Sequence, residues 1–179
     1  PPRLILNSFQ PDNRNIDLYS DPNHLLSEMF KDLKEGKRIF FCSNSLKKVK
    51  EVVASIKAEF GLNFPVFSVT GDNSKADDTA QFLANIKTEI LKYRVLAVSP
   101  ALGTGIDITF PNDAVMVDSV YGHFYSLINT HYDIDQQLSR VRNPGCVRIW
   151  VDEQTYEFET EVEAIALDLA EQSLISGIQ

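Results

Sequence analysis

The sequence is poor in what would mark a metal centre, a disulfide framework or a membrane span. Its only two cysteines, Cys42 and Cys146, lack CxxC spacing. That excludes a cysteine zinc site and a disulfide scaffold, and leaves two small thiols in or near a core. The three histidines, His24, His123 and His131, have no ligand spacing, so no metal is expected. No apolar run approaches the ~20 residues that cross a bilayer, and no membrane partner is expected. No signal-peptide pattern is present, so the expected location is intracellular, either cytoplasmic or nuclear. The chain opens Pro-Pro without a methionine, as a piece of a longer polypeptide would. Neither GxGxxG nor GxxxxGKS/T occurs anywhere, so the chain has no phosphate-cradling glycine loop of its own.

Cations are also missing from one region. Residues 152–179 hold eight acids and no Lys or Arg, whereas residues 1–151 carry 17 basic and 17 acidic groups. The net charge of −8 therefore belongs to the C-terminal end. A neutral body is compatible with a polyanion site, because a local patch suffices.

What the chain does contain is alternation. At 179 residues it is long enough for one domain that buries ~70% of its unfolded surface. RLILNSF (3–9) reads as a leading strand. Asp21 and Pro22 open a helix with Leu25, Leu26, Met29, Phe30 and Leu33 inward, ended by Gly36. Short apolar runs at 38–43, 66–70, 95–99, 114–118 and 147–151 read as strands buried on both faces. Helices are expected at about 45–60, from Ser74 to Tyr93, at the start of 133–142, and from a Thr160/Glu163 capping box to about 175. Strand–helix alternation of this kind predicts an α/β fold with a mostly parallel sheet flanked by helices. Ligands bind beyond the carboxyl ends of such strands, which directs attention to the loops after 43, 70, 99 and 118 and the turn into 133–142.

Three stretches there can carry chemistry. IFFCSNSLKKVK (39–50) ends a strand with Ser43, Asn44 and Ser45 at a helix mouth, where free N–H groups attract phosphate; an ordinary serine cap on a basic face reads the same way. VSPALGTGIDI (98–108) leaves its strand at Ser99. Gly103 and Gly105 there allow either a loop turn or close backbone approach to a ligand, and Asp107 can accept hydrogen bonds from hydroxyls. DIDQQLSRVRNPG (133–145) sets Arg140 and Arg142 beside an apolar seam of Ile134, Leu138 and Val141. Guanidiniums in such a place are costly unless an anion meets them. Asp77 and Asp78 read as first-turn acids complementing a helix dipole. Tyr121, Phe124, Tyr125 and Tyr132 read as packing, with base stacking the alternative.

Taken in order, these stretches resemble the second RecA-like lobe of superfamily 2 helicases, over about residues 37–151. IFFCSNS is similar to the strand-end motif that opens that lobe, and VFSVTGD, with Gly71, to the next. VLAVSPALGTGIDI resembles motif V, and QQLSRVRN resembles motif VI, Gln-x-x-Gly-Arg-x-x-Arg. The Arg-Val-Arg spacing and the following Asn-Pro-Gly-x-Val-x-Ile-Trp-Val look most like the herpesvirus-type origin-binding and plasmid or viral replication helicases. Residues 1–36 would then be a leading segment beside the first lobe, and 152–179 an acidic amphipathic helix.

The resemblance implies roles. Arg140 would be the arginine finger reaching a nucleotide held by the first lobe, an interaction commonly worth ~10³–10⁵ in rate. Gln136 matches the leading glutamine, and Arg142 is the candidate for the second arginine. Gly105 and Asp107 would face the nucleotide, with Asp107 at the ribose. Ser43, Asn44, Ser45, Gly71 and Ser99 would line the nucleic-acid strand, DNA being favoured. ATP and Mg²⁺ would be held mainly by the first lobe of the same polypeptide, so the isolated chain should not hydrolyse ATP. Two departures stand out: Ser139 replaces glycine, and Asn143 stands where the second arginine belongs. They keep open a non-catalytic nucleic-acid or partner-binding module. A nucleotide-using small-molecule transferase would leave the arginine pair unexplained.

Overall fold

The computed structural model describes residues 15–102, 106–154 and 161–176. The expected strand at 3–9 and the Thr160 half of the capping box lie outside the described residues. In chain order the elements begin with β1 (Ile16–Tyr19), α1 (Pro22–Lys34), β2 (Ile39–Ser43), α2 (Leu46–Phe60), β3 (Val66–Val69) and α3 (Asp77–Ala84). They continue with α4 (Ile86–Glu89), β4 (Val95–Val98), β5 (Ser119–Phe124), α5 (His131–Leu138), β6 (Cys146–Val151) and α6 (Val162–Ser176). The six strands form one sheet in the order β1-β6-β5-β2-β4-β3. Every pairing is parallel, so all carboxyl ends share one edge.

Helices cover both faces. On one, α1 and α2 bring Leu25, Met29, Val49, Val52 and Ile56 onto Ile39, Phe41 and Tyr121. On the other, Phe82, Ile86, Ile134 and Leu138 from α3, α4 and α5 pack towards Phe40, Cys42, Val98 and Val120. Local chemistry sets the helix starts as expected. Asp21 accepts the Asn23 N–H at 2.9 Å with Pro22 at the first position of α1, and Ser45 accepts the Lys48 N–H at 3.2 Å. Each cap supplies a partner to an otherwise orphaned donor. Asp77 and Asp78 sit in the first turn of α3.

Two expectations need correction. The fifth strand is Ser119–Phe124, not 114–118. The backbone of 114–118 is shared between two neighbours instead: Arg38 Nη1 donates to the Met116 carbonyl at 2.8 Å and the Arg38 carbonyl accepts the Asp118 N–H at 2.9 Å, while the Gly145 and Cys146 N–H groups donate to the Val117 and Asp118 carbonyls at 3.1 Å. The helix from Ser74 to Tyr93 is in fact two short helices and a 3-10 turn at Ile90–Lys92. Asn85 makes the break: its side-chain amide donates to the Gln81 carbonyl and its own carbonyl accepts the Thr88 hydroxyl, a local competition typical of asparagine. In α6, Val162 is 73% and Ile165 40% exposed.

A buried charge network lies towards the amino end of β5. The Asp32 carboxylate of α1 accepts from Lys37, Ser119 and Tyr121 at 2.8–2.9 Å and also from Arg148. Burial pushes this carboxyl up, but the hydrogen bonds from Lys37, Tyr121 and Ser119 outweigh it and hold it at about 2. The network ties α1 to β5 and β6, and its remoteness from the carboxyl edge makes it a matter of stability rather than chemistry.

Candidate functional site

The segments after β4 and after α5 cross and join. Ile108 and Val141 form an isolated parallel bridge, with the Ile108 N–H on the Arg140 carbonyl at 2.8 Å and the Arg142 N–H on the Ile108 carbonyl at 3.1 Å. Both bridge residues are fully buried, so the crossing is anchored in the core. What positions it is α5, opened by a reciprocal cap between Thr130 and Asp133. This helix stops at Leu138 rather than at the Asn-Pro-Gly, and Val141 joins the seam through the bridge. Close approach of α5 to the sheet depends on Gly122, where a Cβ would lie 2.8 Å from a Leu138 methyl and 2.6 Å from the Phe124 ring.

The crossing unites three of the sequence-derived site residues. Arg140, 8% exposed, donates from Nη1 to the Ile106 carbonyl at 3.1 Å, and burial lowers its pKa. Its charge acts on the Cys42 thiol near the end of β2, which burial nevertheless pushes far up. Arg142 Nε donates to Asp107 Oδ1 at 2.7 Å, while Thr109 donates to the other Asp107 oxygen at 3.0 Å. The Arg142 bond holds the Asp107 carboxyl below its ordinary range. Asn143, in the place of a second arginine, donates to Asp113 at 3.0 Å. Gln136 is exposed and does not join this group. Its neighbour Gln137 is buried instead, with Oε1 lacking a hydrogen-bond partner. Spacing contained that signal, since Ile134, Gln137, Leu138 and Val141 follow one helical stripe. Gly105 and Gly103 lie outside the described residues.

The other candidates lie at or just past strand ends. Ser43 ends β2 and its hydroxyl accepts the Ser45 N–H at 3.2 Å. Asn44 clamps the end of β5 through both ends of its side chain, accepting the Tyr125 N–H at 3.0 Å and donating to the Tyr125 carbonyl at 2.8 Å. Ser99 donates its N–H to the Val69 carbonyl at 3.0 Å. Gly71 is exposed with open space around it. Ser43, Asn44 and Ser99 are all buried, so they shape the edge more than they present groups to it. Tyr121 and Phe124 are core residues, whereas Tyr132 is exposed. Sequence reading also passed over His123, buried opposite Ser43 with Nδ1 unpartnered. Burial, and secondly the Lys48 charge, push its pKa down to about 4.

Neither a protein-family model nor a curated protein matches the sequence. Among solved structures, Mss116p DEAD-box helicase domain 2, bound there to an RNA duplex, aligns with 86% of this chain and 67% of that one at a TM-score of 0.53 and 14% identity. The fold is the RecA-like fold of helicase second domains. The Pyrococcus furiosus Hef helicase domain aligns at 18% identity and a TM-score of 0.48, over 74% of this chain and 26% of that one. The C-terminal part of the Fun30 ATPase domain does so at 13% and 0.46, over 86% and 53%. The chain thus spans about a quarter of the Hef chain and about half of the Fun30 chain.

Proposed function

We propose that the chain is the second motor lobe of an ATP-dependent nucleic-acid helicase or translocase, with Arg140 as its arginine finger. One observation carries this: the stretches resembling motifs V and VI, more than thirty residues apart, meet at the Ile108–Val141 bridge with Asp107, Arg140 and Arg142 together. A cation fixed in a half-dry setting is suited to stabilise charge developing on a transferring phosphoryl group. Asp107 would meet the ribose, and the carboxyl ends of β2, β3 and β4 would border the strand path. By the same resemblance, Mg²⁺ would be held mainly by the first lobe. The narrower reading is DNA as substrate and a replication helicase of the origin-binding kind. It rests on the Arg-Val-Arg spacing and the Asn-Pro-Gly segment after it.

A non-catalytic binding module is the second reading, favoured by the engagement of Asn143 with Asp113 and of Arg142 with Asp107. The experiment is strand-stimulated ATPase of the polypeptide carrying both lobes. Arg140→Ala should slow turnover by ~10²-fold or more while ATP binding changes less. Arg140→Lys should also be slow, lacking the planar fork. Thermal unfolding of each variant separates chemistry from folding. Wild-type turnover in Arg140→Ala would leave the binding module as the better reading.

A further inference from the structure

Away from the crossing, a cavity of about 360 Å³ opens between α3, the Ile90–Lys92 turn and β3. Its size lies within the range of ligand pockets. Phe67, Phe82 and Tyr93 line it together with Asp78, Glu89 and Lys92. The rings form one cluster: Phe67 stacks on Phe82 at 4.1 Å between centroids, and Tyr93 stands 5.2 Å from Phe67 and 5.8 Å from Phe82. Phe82 is rooted in the core, while Phe67 and Tyr93 are only half-buried, so part of each ring is left to the cavity. The rim carries net negative charge. Lys92 is fully engaged with both Glu89 oxygens at 2.7 and 2.8 Å. Asp78 accepts only the Thr79 N–H at 2.8 Å, and its charge meets no cation among the described residues.

We propose that this cavity receives the guanidinium of an arginine on the surface of a partner protein. Ring faces and an uncompensated carboxylate both attract a cation. The planar guanidinium suits them better than an ammonium, because it can stack on a ring while its fork donates to Asp78. A phosphate or any nucleic-acid backbone would meet Asp78 as a like charge and is excluded. β3 is the last strand of the sheet order, but the Asn73 side chain donates to the Ser68 carbonyl at 2.7 Å and accepts the Thr70 N–H at 2.8 Å along its outer side, so the arginine enters the cavity from solvent and not on a strand paired with β3. The site is also independent of the motor reading, since Glu89 and Tyr93 precede β4 and sit away from its carboxyl end.

The test is a titration of the 179-residue chain, followed by aromatic and side-chain amide NMR. The probes are a capped Thr-Val-Arg-Val-Thr peptide, the same peptide with Gln for Arg, and guanidinium chloride. The arginine peptide should give saturable shifts at Phe67, Tyr93 and Gln81, and bind about tenfold or more tightly than the glutamine peptide. Asp78→Asn keeps an acceptor for the Thr79 N–H, so it should keep the fold while losing about fivefold or more in affinity. Equal binding of the two peptides, unchanged affinity in Asp78→Asn, or no saturable shift would each overturn the proposal. Guanidinium chloride binding as tightly as the peptide would overturn the protein partner by assigning the cavity to a free cation.

Discussion

Removing Arg142 separates a tie within this lobe from a direct role in catalysis. The Arg142 and Asp107 side chains are 56% and 47% exposed, so their ion pair belongs to the class worth ~0.2–1 kcal/mol. For a domain of this size that is a Tm change of at most ~2–4 °C. Arg142→Ala should therefore fold and melt within about 4 °C of the parent. A double-mutant cycle with Asp107→Ala, read by thermal unfolding, should give a coupling of up to ~1 kcal/mol. That coupling should shrink markedly at ~1 M salt, where the screening length falls to ~3 Å. If the proposed function holds, the loss of ATP turnover in Arg142→Ala of a polypeptide carrying both lobes should be no greater than in Asp107→Ala. The double variant should match Asp107→Ala alone, because Arg142 acts by orienting that carboxylate. If Arg142→Ala instead costs ~10²-fold while Asp107→Ala costs little, Arg142 has taken over the second arginine's task and the positioning account fails.

Two further outcomes follow from buried features near the same site. Gly122→Ala would push a methyl into Leu138 and Phe124, so it should cost ~1–3 kcal/mol in urea unfolding; parental stability would mean that α5 is not held against β5 as described. For His123 the folded pKa of about 4 lies below the ordinary 6.5, so the unfolded chain binds the extra proton between them. Its contribution is complete above about pH 6.5 and is lost as pH falls towards 4, to a ceiling of ~3 kcal/mol that solvent screening near Lys48, Glu51 and Asp152 lowers to ~1–2. His123→Gln should flatten that part of the stability–pH curve, and an unchanged slope would refute the assignment.

The parts of the fold that were legible in sequence are those where apolar runs and caps agree. β2, β3, β4 and β6 are such runs, and Asp21-Pro22 and Ser45 announce their helices. β5 was hidden because SVYGHF does not look like a core strand. Two of its polar side chains have a partner far along the chain: Ser119 and Tyr121 donate to Asp32. Its glycine is there to admit Leu138. Conversely, AVMVD has the apolar pattern of a strand, yet its backbone is bonded to Arg38, Gly145 and Cys146 outside the ladder. In the site, the meeting of Asp107 with Arg142 could not be read from spacing, since it depends on a bridge between two irregular segments. The burial of Gln137 was readable from the helical stripe of Ile134, Leu138 and Val141.

The departure at Asn143 acquires a physical meaning at the crossing. Four links join 106–113 to 140–143: the Ile108–Val141 bridge, the Arg140 bond to the Ile106 carbonyl, the Arg142–Asp107 pair and the Asn143–Asp113 bond. The last of them secures a demanding turn, for Asn112 and Asp113 both hold positive φ, 56° and 53°. Asn and Asp tolerate that conformation better than other side chains, yet two in succession still require support. A donor on Asp113 Oδ1 supplies it, and asparagine does so from a short side chain without adding another charge beside Arg142. With the two segments so joined, Arg140 has little freedom to swing alone. If Arg140 is the proposed arginine finger, it would approach a nucleotide through movement of the domain as a unit, because displacing the guanidinium by itself would break the Ile106 bond in a buried setting, where an unsatisfied donor or acceptor costs ~1–3 kcal/mol.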